Sequence, residues 1–226
     1  MLVVPLRVGC LSGNVRLTPR DIEIAQALCH CVRYFSADQL RKGWWQKNSK
    51  TAFAMENRLR KLVQINWLGT ASCLARPMPE LDGPLYAWHP GKSEPDFGHY
   101  AWLANKRWDR PPVMTKLYFA GRRAAHQYLG TRPRRVRQIY QLTHDLGVSE
   151  VYLYFKAHRK EEVSAWYGES VNPFRKPRIK NADVYIFPTL KWPPKLVVDF
   201  AGAYPKSRIQ ALHQYCVENN LAYELW

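Results

Sequence analysis

The first third of the chain spaces its apolar residues as amphipathic helices do. In LTPRDIEIAQALCHCV, Thr18 is suited to the N-cap and Pro19 to the first helical position. The apolar stripe that follows consists of Ile22, Ala25, Cys29 and Val32. In SADQLRKGWW, Ser36 and Gln39 have the spacing of a capping box. In NSKTAFAMENRLRKLVQINWLG the stripe consists of Ala52, Met55, Leu59, Leu62 and Val63. Three helices are therefore predicted within residues 17–68.

The segment after these helices, GTASCLARPMPELDGPLYAWHP, has two strand-like runs on either side of the turn-rich PELDG. The order of these elements predicts a winged helix-turn-helix over residues 1–92: a helix, a capped short helix, a basic helix and a hairpin. The alternative is a small helical domain whose third helix has a solvated charged face. Residues 93–130 are predicted to be a basic joining segment that contains a strand and a short helix.

The last hundred residues alternate helical and strand patterns in a definite order. VRQIYQLTHDLGVSEVYLYFKAHRK is predicted to be a helix, and SAWYGES, ADVYIFP and KLVVDFAG are predicted strands. KLVVDFAG is almost wholly apolar, so we expect it near the centre of a sheet. YPKSRIQALHQYCVENN and LAYELW supply a further helix and a last strand. These patterns predict an α/β domain over residues 131–226 and an α+β fold for the whole chain.

The net charge narrows the classes of partner. The 226 residues have a formal charge of +16, which favours a polyanion, most often nucleic acid, with an anionic membrane as the alternative. No apolar stretch approaches the roughly 20 residues that span a bilayer, and no basic region precedes the apolar start. A cytoplasmic protein without membrane association is therefore expected. The five cysteines are scattered and odd in number, which favours free thiols without structural zinc.

Two groups of residues are candidates for contacts with double-stranded DNA. The third helix contributes polar and basic residues, namely Ser49, Lys50, Thr51, Asn57, Arg58 and Lys61. Between Lys106 and Arg137 there are ten Lys or Arg residues and one acid, Asp109, and the candidates there are Arg122, Arg123, Arg134 and Arg135. Such a basic run either follows a phosphate backbone or forms a solvated connector.

Asp183 and Asp199 each lie beside a short apolar run, where a charge is unfavourable unless it is paired, solvated or bound to metal. We expect the two aspartates on neighbouring strands, binding either a divalent cation or a basic neighbour, with Lys206 or Arg208 as that neighbour. The adjacent pair His144 and Asp145 is interpreted as a capping or interdomain hydrogen bond rather than a general base with its orienting acid, because adjacent residues on a helix do not face each other.

The order of elements in residues 131–226 resembles the core of the restriction-endonuclease-like, PD-(D/E)xK, nucleases. The resemblance implies that Glu150 is the helix acid, Asp183 the second-strand acid and Asp199 the third-strand acid, with Glu169 as a further candidate. It implies a Mg²⁺ site at Asp183 and Asp199. The lysine position holds Ala201, which predicts a weakened or inactive site unless Lys206 or Arg208 supplies the charge. No cofactor is required for a binding role.

Over nearly its full length, from about residue 17, the chain also resembles the replication-relaxation family, winged-helix proteins of plasmids and other mobile elements. The matching segments are LTPRDIEIAQAL, SADQL, NRLRKLVQINWL, YFAGRRAAHQYL and HDLGVSEV, followed by the NAD and VVD strands. The resemblance implies DNA binding in replication, transfer or control of a mobile element, without establishing an enzymatic activity. The alternatives are a Mg²⁺-dependent endonuclease targeted by the winged helix, and an assembly protein that recruits a replication or transposition partner. A homodimer is a further candidate assembly.

Overall fold

The computed structural model of this chain describes residues 15–45, 49–133, 139–174 and 182–226, without the side chains of residues 49–51. The fold is α+β. The helices are α1 (Pro19–Gln26), α2 (Ala37–Trp44), α3 (Ser49–Gln64), α4 (Phe97–Lys106), α5 (Arg122–Gln127), α6 (Ile139–His158), α7 (Lys160–Ser164) and α8 (Lys206–Glu218). The strands are β1 (Phe35–Ser36), β2 (Leu68–Ala75), β3 (Tyr86–Trp88), β4 (Val113–Ala120), β5 (Trp166–Gly168), β6 (Val184–Ile186), β7 (Leu196–Asp199) and β8 (Tyr223–Leu225).

The three predicted N-terminal helices are present, and their caps explain where two of them begin. The Thr18 side chain accepts the backbone N–H of Asp21, whose carboxylate accepts the backbone N–H of Thr18. Ser36 and Gln39 make the same reciprocal pair at the start of α2. Each pair satisfies backbone donors that the first turn of a helix leaves open. A π-helical turn, Ala27–Cys31, continues α1.

The first sheet has the strand order β1-β4-β2, and both pairings are antiparallel. The predicted hairpin across PELDG is therefore wrong. β2 pairs along its whole length with β4, from Leu68 opposite Ala120 to Ala75 opposite Val113. Residues 76–112, which contain β3 and α4, are an insertion between these two strands. The sequence-based boundaries at residues 92 and 130 do not match the sheets, because β4 lies in the first sheet and β3 in the second.

The second sheet has the order β3-β8-β7-β6-β5, in which only β7 and β8 are parallel. The predicted order of a helix, three strands, a helix and a strand is confirmed by α6, β5, β6, β7, α8 and β8, with the short α7 added. β7 is the middle strand, and all four of its residues are buried, as its apolar sequence predicts.

Helix α6 contacts both sheets and so positions the residues at its N-terminal half. One hydrophobic cluster includes residues of α1 to α3, of α6 and of β6 and β7, together with Trp226. A second cluster lies on the other face of the second sheet, under α4 and α8. The approach of α6 to β7 needs a glycine, because a Cβ at Gly147 would lie 2.0 Å from a Phe200 ring atom. Within the described ranges, no helix has both the length and the apolar character needed to cross a bilayer.

Candidate functional site

Three acidic residues lie in one row at the same end of three neighbouring strands. β5 pairs Gly168 with Val184, and β6 pairs Val184 with Val198. One residue beyond these paired positions, at the same end of the sheet, lie Glu169 after β5, Asp183 before β6 and Asp199 at the end of β7. The backbone N–H of Glu169 donates to the Asp183 carbonyl at 2.8 Å, so the ladder extends into this row. Asp183 and Asp199 therefore do lie on neighbouring strands, and we call these three residues the carboxylate row.

Asp183 is held by an imidazole from α6. His144 Nε2 lies 3.2 Å from Asp183 Oδ2, and the same oxygen accepts the backbone N–H of Phe200 at 2.9 Å. Burial alone would lower the His144 pKa, but the negative charges of Asp183, Asp199 and Asp145 and the bond to Asp183 raise it to about 9. His144 is therefore a cation at neutral pH, and it neutralises part of the charge of the row.

The described basic partner of Asp183 is thus His144 rather than the predicted Lys206 or Arg208. Lys206 is exposed at the first turn of α8. The Arg208 guanidinium lies over the Tyr204 ring, 3.8 Å from its centroid. Of the two interpretations of the adjacent pair, a capping bond or an interdomain hydrogen bond, the second agrees with the structure. Asp145 accepts a hydrogen bond from Arg33 Nη1, in the N-terminal part of the chain, and the His144 ring reaches Asp183 at the second sheet.

Tyr204 joins His144 to the fully buried Asp199. Its hydroxyl lies 3.1 Å from His144 Nε2, and its ring stacks on the imidazole at an interplanar angle of 16°. Burial, the charges of Asp199 and Asp183 and a side-chain hydrogen bond with Asp199 raise the Tyr204 pKa. The phenol therefore remains protonated at neutral pH, which suits a hydrogen-bond donor and not a nucleophile.

Asp145, and not Glu150, is the helix acid beside the carboxylate row. Arg33 Nη1 binds Asp145 Oδ1 at 3.2 Å, and Arg33 Nη2 binds Glu169 Oε2 at 2.9 Å. Both acids, with Asp183 and Arg33, line a cavity of about 50 Å³. The Glu150 carboxylate faces α2 instead, where Gln39 Nε2 donates to it at 3.0 Å and Lys42 forms an ion pair with it. Five helical residues separate the two acids by about 140° around the axis, so they face different neighbours.

A half-buried guanidinium approaches the position where the nuclease resemblance expects a lysine. Ala201 is fully buried, and its carbonyl accepts a hydrogen bond from Arg107 Nη2 at 2.6 Å. The same nitrogen donates to the Trp226 carbonyl at 2.7 Å. Burial lowers the Arg107 pKa to about 10, so the group keeps its charge at neutral pH. Arg107 follows α4 in the insertion, 94 residues before Ala201, and no sequence motif pointed to it.

A Mg²⁺ ion at the Asp183 side of the carboxylate row would compete with contacts that Asp183 already makes. Asp183 Oδ2 already accepts two hydrogen bonds, and a cation there would have to displace the charged imidazole of His144. Among residues 15–45, 49–133, 139–174 and 182–226, no group of three or more His, Cys, Asp or Glu side chains is arranged to hold a metal ion. The carboxylate charges are instead balanced in part by His144 and Arg33.

The solvent-facing side of α3 has cationic side chains, but Arg58 is not among the exposed ones. Arg58 is mostly buried and forms an ion pair with the fully buried Asp21, and its Nη2 also donates to the Arg16 carbonyl at 2.7 Å. Burial would raise the Asp21 pKa, but the bonds from Arg58 and Thr18 lower it overall. Lys61 and Arg60 are exposed, and Arg60 Nη2 donates to Asn57 Oδ1 at 2.9 Å. The side chains of Ser49, Lys50 and Thr51 lie outside the described part of the chain.

The second basic group lies at a groove beside the C-terminal end of α3. Arg122 is exposed there, and Arg123 is fixed by bonds from its backbone N–H to the Asn66 carbonyl at 3.1 Å and from Nη1 to the Ile65 carbonyl at 3.4 Å. Arg132, which was not among the predicted contacts, lines the same groove. Arg134 and Arg135 lie outside the described residues.

The thiols in the described ranges are unpaired with one another. Cys29, Cys31, Cys73 and Cys216 form no disulfide. Burial raises the pKa of Cys29, of Cys31 and of Cys216 to about 12 in each case, with smaller contributions from Cys29 at Cys31 and from Asp199 at Cys216. These three groups therefore remain neutral thiols at physiological pH and are poor nucleophiles and metal ligands.

No protein-family model, curated protein or solved structure matches this chain.

Proposed function

We propose that this chain binds double-stranded DNA through a winged helix formed by α1 to α3, β1, β2 and β4, and that its second sheet belongs to a nuclease-like unit that does not cut. The resemblance of the sequence to the replication-relaxation family supports a role for this binding in the replication, transfer or control of a mobile genetic element. The proposed partner is duplex DNA, with a second protein of the replication or transposition complex as a further candidate.

The strand order of the first sheet is the observation that supports this proposal most strongly. β4 lies between β1 and β2, and α2 and α3 come between β1 and β2 in the chain. This is the arrangement in which a winged helix holds its third helix against the major groove and extends a two-stranded ribbon beside it. The long insertion between β2 and β4 leaves that order unchanged, because its strand β3 pairs with β8.

The solvent-facing side chains of α3 have the chemistry that a DNA backbone requires. Arg60, Lys61 and Gln64 are exposed, and Asn57 is half-buried beside Arg60. We assign the phosphate contacts to Arg60 and Lys61, while Arg58 has a structural role through Asp21. Lys50 and Thr51 lie nearly three turns before Arg60 and Lys61 on the same helix, and they remain proposed contacts with DNA.

The second half of the chain supports a nuclease-like unit without supporting hydrolysis. α6, β5, β6, β7, α8 and β8 follow the order of the PD-(D/E)xK core, and β8 is parallel to β7. The His144 imidazolium forms an ion pair with Asp183, and Ala201 lies where the nuclease resemblance expects a lysine. Hydrolysis of a phosphodiester by this route needs a cation at the scissile phosphate, which Ala201 does not provide.

The alternative function is a metal-dependent endonuclease, and the carboxylate row is the observation that favours it. Three carboxylates at the ends of adjacent strands are the donor types that Mg²⁺ prefers. That function would require His144 to leave Asp183 when metal and DNA bind.

Salt-dependent binding of duplex DNA tests the proposal. Two variants with the same loss of charge should be compared with the wild type by fluorescence anisotropy across a salt series. Arg60→Ala with Lys61→Ala should weaken binding and lower the log–log salt slope by about 2, since each phosphate contact contributes about 0.9. Lys160→Ala with Lys191→Ala removes two exposed lysines outside the winged helix and should change neither quantity much. Wild-type affinity and slope in the α3 variant would refute the assignment of this surface.

A further inference from the structure

A groove of about 730 Å³ lies where α3, β2, β4 and α5 meet. We call it the α3–α5 groove, and the residues that define it here are Ile65, Asn66, Phe119, Arg122, Arg123 and Arg132. Sites for small organic ligands have volumes of about 300–1,000 Å³, so the groove has room for a nucleotide-sized group. Asn66 has a left-handed backbone (φ 57°), and this turn brings the end of α3 next to the start of α5.

The rim of the α3–α5 groove is cationic. Three arginines line it, and none of the described residues that line it is Asp or Glu. Arg122 and Arg132 extend into solvent, whereas Arg123 is anchored to the carbonyls that end α3. Guanidinium groups bind phosphate oxygens in a bidentate manner, and a rim with several of them suits the repeated negative charge of a phosphodiester chain.

The lining of the groove between the arginines includes Ile65, Leu68 and the fixed aromatic ring of Phe119. Leu68 is buried and Ile65 is half-buried. The half-buried Phe119 ring lies directly over Gly69, where a Cβ would come within 2.2 Å of a ring carbon. The ring also makes an edge-to-face contact with Tyr34, with ring centroids 6.1 Å apart. The ring is therefore held in place beside the arginines before any ligand binds.

We propose that the α3–α5 groove binds an unpaired nucleotide of single-stranded DNA, with the phosphates on Arg122 and Arg132 and the base against Phe119. A cationic track beside an aromatic ring is the combination that single-strand binding requires. A duplex keeps its bases stacked inside, so it would gain nothing from the Phe119 ring. The inference rests on the proposed function in taking DNA as the ligand.

The groove is also continuous with the proposed duplex surface. Gln64, on its rim, is three residues from Lys61, and side chains with this helical spacing are neighbours about 5–6 Å apart. A strand that leaves a duplex held on α3 would therefore reach the groove directly. The chain would then recognise a junction between paired and unpaired DNA.

Binding of a fluorescent oligothymidylate, which forms no duplex, tests this inference on the full chain. Arg122→Ala with Arg132→Ala should lower the log–log salt slope by about 1.4, since each contact with a single strand contributes about 0.7. Phe119→Leu should weaken binding about fivefold or more at constant charge, because base stacking is lost. The Lys160→Ala and Lys191→Ala pair is the control for loss of charge and should bind as the wild type does.

The outcomes separate this inference from the proposed function, because the two depend on different variants and probes. Wild-type affinity and slope for oligothymidylate in the Arg122 and Arg132 variant would overturn the inference, as would an equal loss in the lysine control. An equal loss for duplex and for single strand would also overturn it, since the groove would then belong to the duplex surface. If the proposed function is wrong, the variant with Arg60→Ala and Lys61→Ala will bind duplex DNA as the wild type does. Circular dichroism identifies any fold defect in Phe119→Leu, and the surface arginine variant remains decisive in that case.

Discussion

The ion pair between His144 and Asp183 should make the stability of this protein depend on pH in the neutral to alkaline range. The His144 pKa is about 9 in the folded chain, against 6.5 for an ordinary histidine. A raised folded-state pKa stabilises the fold fully below about pH 6.5, and this contribution is lost as the pH rises through about 9. Each pKa unit corresponds to about 1.4 kcal/mol, so the contribution is of the order of 3 kcal/mol.

His144→Gln is the substitution that isolates this contribution, since an amide can still donate to Asp183 but has no charge. The free energy of unfolding of the variant and the wild type should be measured in urea at several pH values between about 6 and 9.5. The difference between them should be largest at about pH 6 and should shrink by roughly 3 kcal/mol by about pH 9.5. His126→Gln, at an exposed position of α5, should leave the pH profile unchanged.

A difference that stays constant over this pH range would refute the assignment of His144 as a buried cation. Titration of the imidazole by NMR gives an independent answer, since the ring protons should shift near pH 9. A midpoint below about pH 6.5 would mean that burial outweighs the three aspartates around the ring.

Further substitutions probe the rest of the fold. Arg58→Ala should lower the free energy of unfolding by about 3–5 kcal/mol, because it leaves the fully buried Asp21 without its counter-charge, whereas Lys61→Ala should change it by less than about 0.5 kcal/mol. Gly147→Ala should be destabilising by about 1–3 kcal/mol, since its Cβ would overlap the Phe200 ring, and Gly83→Ala, with nothing within 4 Å, is the matched control. Cys29, Cys31 and Cys216 should react with a thiol reagent at about pH 8 only after unfolding, and elemental analysis should find no stoichiometric zinc. Fast labelling of all three native thiols, or one zinc per chain, would contradict this.

Local patterns were sufficient to predict α1 to α3, α5, α6 and α8, the caps of α1 and α2, and strands β5 to β8 of the second sheet. Capping boxes at Thr18 and Ser36 involve residues three apart, so their partners are visible in the sequence. The apolar run that becomes β7 likewise indicates a central strand, because burial on both faces removes any polar alternation.

The pairing of β2 could not be predicted in the same way. PELDG is a good turn sequence and strand-like residues follow it, which favours a local hairpin. Instead, 37 residues separate β2 from its partner β4. The strand β3, which is nearer to β2 in the chain, pairs with β8 at the edge of the second sheet. Strand pairing is decided by the surfaces that the whole fold buries, and those surfaces are absent from local spacing.

The charged residues show the same limit at the level of single side chains. Arg58 and Lys61 look alike in the sequence, yet Arg58 faces Asp21, a partner 37 residues away, while Lys61 is exposed. Glu150 matched the helix acid of a nuclease, but Asp145, a little over one turn earlier, faces the carboxylate row. The sequence indicated a capping or interdomain hydrogen bond at His144 and Asp145, but it did not identify Asp183, beside a strand of the second sheet, as the ion-pair partner of His144.

Binding and cleavage measured together on one substrate test most directly whether this chain is a DNA-binding protein with a silent carboxylate row. Supercoiled DNA should be incubated with the wild type in Mg²⁺ and in Mn²⁺, and each sample should be divided between a mobility-shift gel and a denaturing assay for nicks. We expect DNA that is bound in both metals and remains uncut. Asp183→Asn and Asp199→Asn are the matched variants, because each removes one carboxylate at nearly constant volume. Nicking by the wild type that both substitutions abolish would contradict the proposed function and establish the endonuclease in its place.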